Sequence, residues 1–346
     1  MPVSVIVGGQ FGSEGKGKVS AYFARNSQVS IIARVGGPNS GHTAVDVQGN
    51  TRSFRQLPAG IVRSKADIVL PSGSLIDVDI LLHELECHPL ARSKLKIDSR
   101  ASIVTAAHRQ TELADSLVER VGSTASGTGA ALLDRISRST DHLRARDVDA
   151  LQPFLMENTS TYLRNSINAH KRVLVEGTQG FGLSLWHSPA YPYCTSRDTT
   201  AASFISEVGL APHDVDEVIM VIRAFPIRVG GNSGPLKNEI SWSKLSSESR
   251  IPEGFKEYTT ATKRIRRIAL FDPAIVNQAI EANAPHKIVL NHMDYVDPQA
   301  VINGPSQASI DFVHYVESAL NREIDFLGYG PDSLVEKQSI FQKRCA

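Results

Sequence analysis

Cysteine is scarce: three in 346 residues, Cys87, Cys194 and Cys345, too far apart in sequence for a CxxC metal site or a disulfide framework. A reduced, cytoplasmic setting is the expectation. No apolar stretch approaches the roughly 18 residues that cross a bilayer, and the N-terminus lacks the charged region and long apolar run of a signal peptide. A soluble protein without a membrane partner is therefore expected. Neither sign of charge dominates: 37 Lys+Arg against 36 Asp+Glu leave a net +1, so no basic field holds a nucleic-acid backbone. Small molecules are the expected partners. Internal repeats and low-complexity tracts are also absent. At about 150 residues per domain two domains would fit, but the expected organisation is one large domain over residues 1–346.

What is present is a series of short β-branched runs, at 3–7, 30–35, 68–70, 103–105, 173–175, 218–222 and 287–290, most of which read as buried parallel strands. Amphipathic segments at 111–121, 152–169 and 273–282 supply crossover helices. The expected fold class is α/β, a mostly parallel central sheet with helices on both faces and inserted loop lobes. The polar stretch 230–262 reads as such a lobe. Ligands are expected at the strand C-termini.

Two motifs sit at such ends. The first, Gly8-Gly9-Gln10-Phe11-Gly12-Ser13-Glu14-Gly15-Lys16-Gly17-Lys18, follows the run 3–7 and is dense enough in glycine for backbone N–H groups to close around a phosphate. It contains Gly12-x-x-x-x-Gly17-Lys18, yet Val19 follows where a common P-loop needs Ser or Thr for Mg²⁺, so the loop holds phosphate differently. The second, Gly36-Gly37-Pro38-Asn39-Ser40-Gly41-His42-Thr43, follows the run 30–35. A lone histidine is often a satisfied core residue; glycines on both sides, with Asn39 and Thr43, favour function for His42.

With these loops the chain resembles the adenylosuccinate synthetase family, whose members carry GxQWGDEGKGK, GGxNAGHT, EGxQG, YPYVTSxxT, TTGRxRR and late GPxR segments. The counterparts here include Glu176-Gly177-Thr178-Gln179-Gly180, Tyr191-Pro192-Tyr193-Cys194-Thr195-Ser196, Thr259-Thr260-Ala261-Thr262-Lys263-Arg264-Ile265-Arg266-Arg267 and Gly330-Pro331-Asp332, in the family's order from residue 3 to about residue 335.

The resemblance implies a two-step ligation. A nucleoside triphosphate phosphorylates O6 of a 6-oxopurine nucleotide, and the amino group of L-aspartate then displaces phosphate at C6. It implies Ser13, His42, Lys16 and Gln179 as catalytic residues, with His42 donating to the transferring phosphoryl group and Lys16 offsetting its charge. The triphosphate is expected on Gly15, Lys16, Gly17, Lys18, Gly41, His42, Thr43, Arg266, His292, Asp294, Gly330 and Pro331. Mg²⁺ bridges the phosphates, with Gly41 and Ser13 as its expected protein neighbours. The purine monophosphate falls to Ser13, Asn39, Thr124, Arg138, Gln179, Thr195 and Arg264, where Arg138 reaches the 5′-phosphate across a homodimer interface. Aspartate falls to Thr260, Thr262, Arg264 and Arg266, since planar guanidinium forks suit a dicarboxylate.

Departures from the pattern sharpen the reading. Ser13 stands where the family has the Asp that takes the proton from purine N1 and binds Mg²⁺. That substitution looks like the phage branch of the family, the 2-amino-2′-deoxyadenylosuccinate synthases, whose substrate is dGMP. Residue chemistry alone leaves the purine open: the smaller Ser13 gives a 2-amino group space, but a carboxylate could also accept from it. In Asn291-His292-Met293-Asp294, His292 replaces the Lys that packs on the donor base, which argues for ATP or dATP. Lys263 replaces a Gly of the Arg-rich loop, and Ser126 and Ala130 replace the Arg and Pro of GRGIGP. Asn232 and Ser233 form an insertion placed near the sugar. The favoured reading is a ligase of dGMP and L-aspartate, ahead of an ordinary synthetase using IMP and GTP and of an inactive nucleotide-binding protein.

Overall fold

The computed structural model describes residues 2–249, 251–259 and 263–341. Its framework is a ten-stranded sheet of β1 (Val3–Gly8), β2 (Val29–Arg34), β3 (Asp67–Leu70), β4 (Leu95–Asp98), β5 (Leu155–Met156), β6 (Arg172–Glu176), β7 (Val215–Arg223), β8 (Lys287–Asn291), β9 (Phe326–Tyr329) and β10 (Ser333–Glu336). The spatial order is β10-β9-β8-β7-β1-β6-β2-β3-β4-β5, and every neighbouring pair is parallel except β9 with β10.

Strands buried on both faces need apolar side chains at successive positions, and β1 supplies them. Val5 lies between Val175 and Val218. Val3, Val5 and Val7 point to the layer of helices Thr159–Asn168, Ala201–Val208, Pro273–Asn283 and Gln307–Leu320. Ile6 points the other way, into a cluster with Val19 and Phe23 of the helix Lys16–Asn26. The alternation of a strand thus sends one run of residues into two cores.

From β1 the chain moves outward through β2 to β5, returns to insert β6 between β1 and β2, and crosses to β7 on the other side. Strand order therefore reverses at β1, and the crevice outside the carboxyl ends of β2, β6, β1, β7 and β8 is the natural ligand site. Among the described residues no helix is long and apolar enough to cross a membrane.

Several expected elements differ. The run 103–105 is not in the large sheet: Ser102–Ile103 pairs in parallel with Leu75–Ile76 as a separate two-stranded unit. The expected helix 152–169 begins only at Thr159, where Asn158 accepts from Ser160 and Thr161 N–H groups; before it, a 3₁₀ turn containing Pro153 runs into edge strand β5. The segment 111–121 is two helices, Ala106–Ala114 and Leu117–Val121, parted at Ser116, which takes a left-handed φ of 51°. A Thr105–His108 capping box starts the first of them earlier than the apolar pattern suggested. The lobe 230–262 holds the strand Glu239–Ile240 and the helix Trp242–Ser249, whose Trp242 and Leu245 join the main core. Its serine-rich composition hid that helix.

Candidate active site

A cleft of about 570 Å³ opens at the carboxyl ends of the central strands, and its floor is the loop between β1 and the helix Lys16–Asn26. Gly15 caps that helix with φ 90° and no side-chain hydrogen bond, leaving the N–H groups of the first turn for an anion. A Cβ on Gly17 would lie 2.9 Å from the Thr43 backbone N, so only glycine lets the 36–43 loop close over the helix start. Glu14 ties the loop from within: its carboxylate accepts from Gly12 N at 2.8 Å, Gln10 N at 3.2 Å and Lys16 Nζ at 2.6 Å. Lys16 lines the cleft while sharing its charge with this buried partner.

His42 stands beside the loop. Its Nδ1 lies 2.7 Å from Glu176 Oε1 and 3.1 Å from Arg34 Nη1, and Arg34 donates to the same carboxylate oxygen at 2.7 Å. Glu176 also accepts from Ser20 Oγ at 2.5 Å and from the backbone N–H groups of Ala59 and Gly60. Those donors hold its carboxyl down at about 2 in spite of complete burial. Burial first, and then the Arg34 guanidinium, lower His42 to about 4 against the pull of Glu176. At neutral pH the ring is neutral, Nδ1–H donates to Glu176, and Nε2, buried without a protein partner, is left for a ligand.

Ser13 takes a left-handed φ of 56°, and its carbonyl accepts from Arg223 Nη1 at 3.1 Å. Arg223 is fully buried and paired with Glu257, which also binds Arg266 Nη1 at 2.5 Å and the Tyr295 hydroxyl at 2.7 Å. These cations, Arg223 ahead of the others, hold the Glu257 carboxyl far below the usual carboxylate range. Glu257 thus links the phosphate loop to the Arg-rich segment. Among the described residues lining the cleft, the only carboxylate is that of Glu112, and it accepts from the N–H groups of Gly127, Gly129 and Ala130.

The remaining expected residues divide. Ser13, Gly15, Lys16, Gly17, Lys18, Asn39, Gly41, His42, Thr43, Thr124, Gln179, Thr195, Arg266, His292, Gly330 and Pro331 all line the cleft. Asn39 Nδ2 and Thr195 Oγ1 meet at 3.5 Å. Lys18 donates to the Gly330 carbonyl at 3.0 Å, and burial lowers it to about 8 although Asp294 and Asp332 pull upward. His292 is held well below the usual histidine value by burial and then Arg223, so a neutral imidazole faces this end. Asp294 acts there through its charge and is not in the wall. Arg264 and Arg138 are also outside the wall; Arg138 is exposed, capping the helix Thr128–Ser137 with φ 59°. Thr260 and Thr262 lie outside the described residues.

The motifs did not single out Arg34, Arg223 or the role of Glu176. All three are charged residues that terminate apolar parallel strands, β2, β7 and β6, and a charge at such a strand's carboxyl end was the available signal. Arg228 was also passed over: it lies over the Phe11 ring at 4.6 Å and donates to the Tyr193 carbonyl at 2.7 Å in the cleft wall. In the inserted turn, the Asn232 side chain donates to the carbonyls of Glu119 and Arg120, and Ser233 lines the cleft.

Comparison with known proteins agrees with this geometry. A family model described as adenylosuccinate synthetase matches residues 5–149 and 143–303. The chain is 36% identical over 337 residues to the adenylosuccinate synthetase of Methanocaldococcus jannaschii, covering 95% of this chain and 94% of that protein. It is 35% identical over 340 residues to that of Thermococcus onnurineus, covering 96% and 97%. Among solved structures, cyanophage S-2L succinoaminodeoxyadenylate synthetase, bound to dGMP and to dATP as an energy donor, matches with a TM-score of 0.83 at 29% identity over 99% of this chain and 97% of that one. Fully ligated adenylosuccinate synthetase from Plasmodium falciparum matches with a TM-score of 0.84 over 97% and 100%, and at 21% identity it speaks for the fold alone.

Proposed function

The chain belongs to the adenylosuccinate synthetase family of carbon–nitrogen ligases, and from that we propose that it joins L-aspartate to C6 of dGMP, using ATP or dATP. The products are 2-amino-2′-deoxy-N6-succinyladenylate, the nucleoside diphosphate and phosphate. The observation that carries this reading is Ser13: the wall beside the purine has a hydroxyl where the family pattern has an acid, and no other cleft carboxylate among the described residues is free to replace it. A 2-amino group gains room and an acceptor there. The likeness to a phage enzyme bound to dGMP and dATP supports the same choice.

In the first step O6 takes the γ-phosphoryl group as N1 loses its proton. Anionic phosphate oxygens beside Nε2 reverse the balance that keeps His42 neutral, favouring an imidazolium stabilised by Glu176, which then donates Nε2–H to the transferring group. Lys16 and the N–H groups of residues 15–18 offset the remaining charge. In the second step the aspartate amino group adds at C6, phosphate leaves with the C6–O bond, and the new C–N nitrogen sheds its extra protons. Arg264 and Arg266 grip the amino acid, and Gln179, Asn39, Thr124 and Thr195 hold the purine nucleotide. Neutral His292 with Pro331 flanks the donor base without a lysine ammonium, which suits adenine.

Mg²⁺ fits as a companion of the triphosphate. Among the described residues no cluster of three acidic, histidine or cysteine groups could hold a metal. Ser13 and Gly41 offer neutral oxygens, so phosphate oxygens supply the negative ligands, and the ion supplies charge neutralisation when bound. A homodimer is part of the proposal: Leu133 and Ile136, one turn apart on the helix that ends at Arg138, are 66% and 65% exposed.

The relatives at 34 to 36% identity are ordinary synthetases, and this favours IMP and GTP as the second reading. Purified protein given dGMP or IMP, L-aspartate, and ATP or GTP separates the two by phosphate release and the succino product. Turnover of dGMP with ATP is expected; turnover of IMP and not of dGMP overturns the proposal.

A further inference from the structure

The cleft wall made by residues 112–129 holds a single cation among the described residues, Arg120, and nothing above gives it a task. It belongs to the five-residue helix Leu117–Val121. The family pattern places its arginine at the position taken here by Ser126, which is buried behind the lining and whose hydroxyl meets Thr124 Oγ1 at 2.8 Å. Arg120 faces the cleft with no carboxylate partner among the described residues; its one side-chain hydrogen bond runs from Nη1 to the Asp115 carbonyl at 3.3 Å. In the same wall, Thr128 is 3% exposed and its Oγ1 has no partner among the described residues. A guanidinium with no carboxylate partner and a buried hydroxyl with no partner among the described residues are donors available to an anion.

The inserted turn explains how a short helix keeps that guanidinium in place. The last carbonyls of a helix have no internal partners, and Asn232 Nδ2 donates to two of them, Glu119 O at 3.1 Å and Arg120 O at 3.0 Å. Gly122 lets the turn approach, since a Cβ there would lie 2.9 Å from Ser233 Cα. The same turn borders the Arg-rich segment: a Cβ on Gly231 would lie 3.8 Å from Arg264 Nη1. The turn thus touches Arg120 through its backbone carbonyl and Arg264 through its guanidinium, and two guanidinium groups suit a ligand with two carboxylates.

We infer that Arg120 receives a carboxylate of the amino acid substrate and that Asn232 is the positioning residue that holds Arg120 at the cleft. The inference rests on the ligase reading but not on which purine is used. Arg120→Gln is expected to raise the KM for L-aspartate by at least about tenfold, with kcat and both nucleotide KM values nearly unchanged and Arg120→Lys recovering part of the loss. Asn232→Ala is expected to raise the aspartate KM by about threefold with the same split between KM and kcat. An unchanged aspartate KM in Arg120→Gln overturns the inference, including the case in which the monophosphate KM rises instead. Should wild-type protein turn over neither dGMP nor IMP, the ligase reading falls on its own. Calorimetric titration of L-aspartate into protein holding dGMP and a non-hydrolysable ATP analogue then decides: binding weakened by Arg120→Gln supports the inference, and equal or absent binding in wild type and variant refutes it.

Discussion

Glu176 takes hydrogen bonds from Ser20, Arg34, His42, Ala59 and Gly60 at the buried ends of the central strands, whereas Arg120, at the rim of the same cleft, is exposed and held by one carbonyl and the strut from Asn232. The first arrangement leaves no rotamer to choose. The second can adapt. Phosphoryl transfer needs its charges in place before the reaction, since reorganising them would add to the barrier, while recognition of a small substrate only needs donors within reach. A buried and over-determined centre with a lightly tethered rim lets the substrate change without rebuilding the chemistry.

The largest test of this contrast is at its buried end. His42→Asn is expected to lower kcat by about 10²- to 10⁴-fold with nucleotide KM values little changed, and Glu176→Gln to approach the same loss. Steady-state kinetics on protein with unchanged circular dichroism checks this; a kcat within a few-fold of wild type for either would break the comparison.

Acid stability probes the same cluster. The folded protein holds His42 at about 4, below the ordinary 6.5, so the unfolded chain protonates first as pH falls. Stability is therefore complete above about pH 6.5 and declines toward pH 4, by about 2 kcal/mol between pH 7.5 and 5. Glu176, held at about 2, adds its loss only below its ordinary 4.5. Urea denaturation at the two pH values is expected to show that loss in wild type and a smaller one in His42→Asn. Equal pH dependence would contradict the buried, neutral ring.

Smaller effects belong to positions that select substrates. Ser13→Asp is expected to lower kcat/KM for dGMP by about tenfold, the order expected for crowding a pocket by a few atoms; unchanged or improved turnover would remove Ser13 from the account of purine choice. Smallest of all, His292→Lys is expected to move the ratio of GTP to ATP use upward by about threefold, read from paired kcat/KM values. No movement would detach His292 from donor choice.

Much of this was legible in residue order. The runs at 3–7, 173–175, 218–222 and 287–290 became central strands because continuous β-branched residues suit burial on both faces. Edge strands β5 and β10 carried no such run, since an edge strand buries less and tolerates polar residues, and β9, though buried throughout, is built from aromatic, leucine and glycine residues instead of β-branched ones. The helix Trp242–Ser249 escaped notice because Trp242 and Leu245 are its only large buried apolar residues.

At the site the division is sharper. The glycines and lysines of the phosphate loop, and His42 in its turn, announce themselves because anion binding by backbone N–H groups demands a local spacing. Residue order alone therefore determined the family, the α/β class and the glycine-rich loop at the floor of the cleft. Only the tertiary structure decided that Glu176 and Arg34 fix the His42 ring, that Glu257 joins two loops through Arg223, and that Asn232 steadies the helix carrying Arg120. The contacts Arg223–Glu257, Asn232–Arg120, Arg34–Glu176 and Arg223–Ser13 join residues 34, 112, 142 and 210 positions apart. Spacing along a chain encodes what neighbours in sequence can do together, and it is silent on pairs that meet only after the sheet has formed.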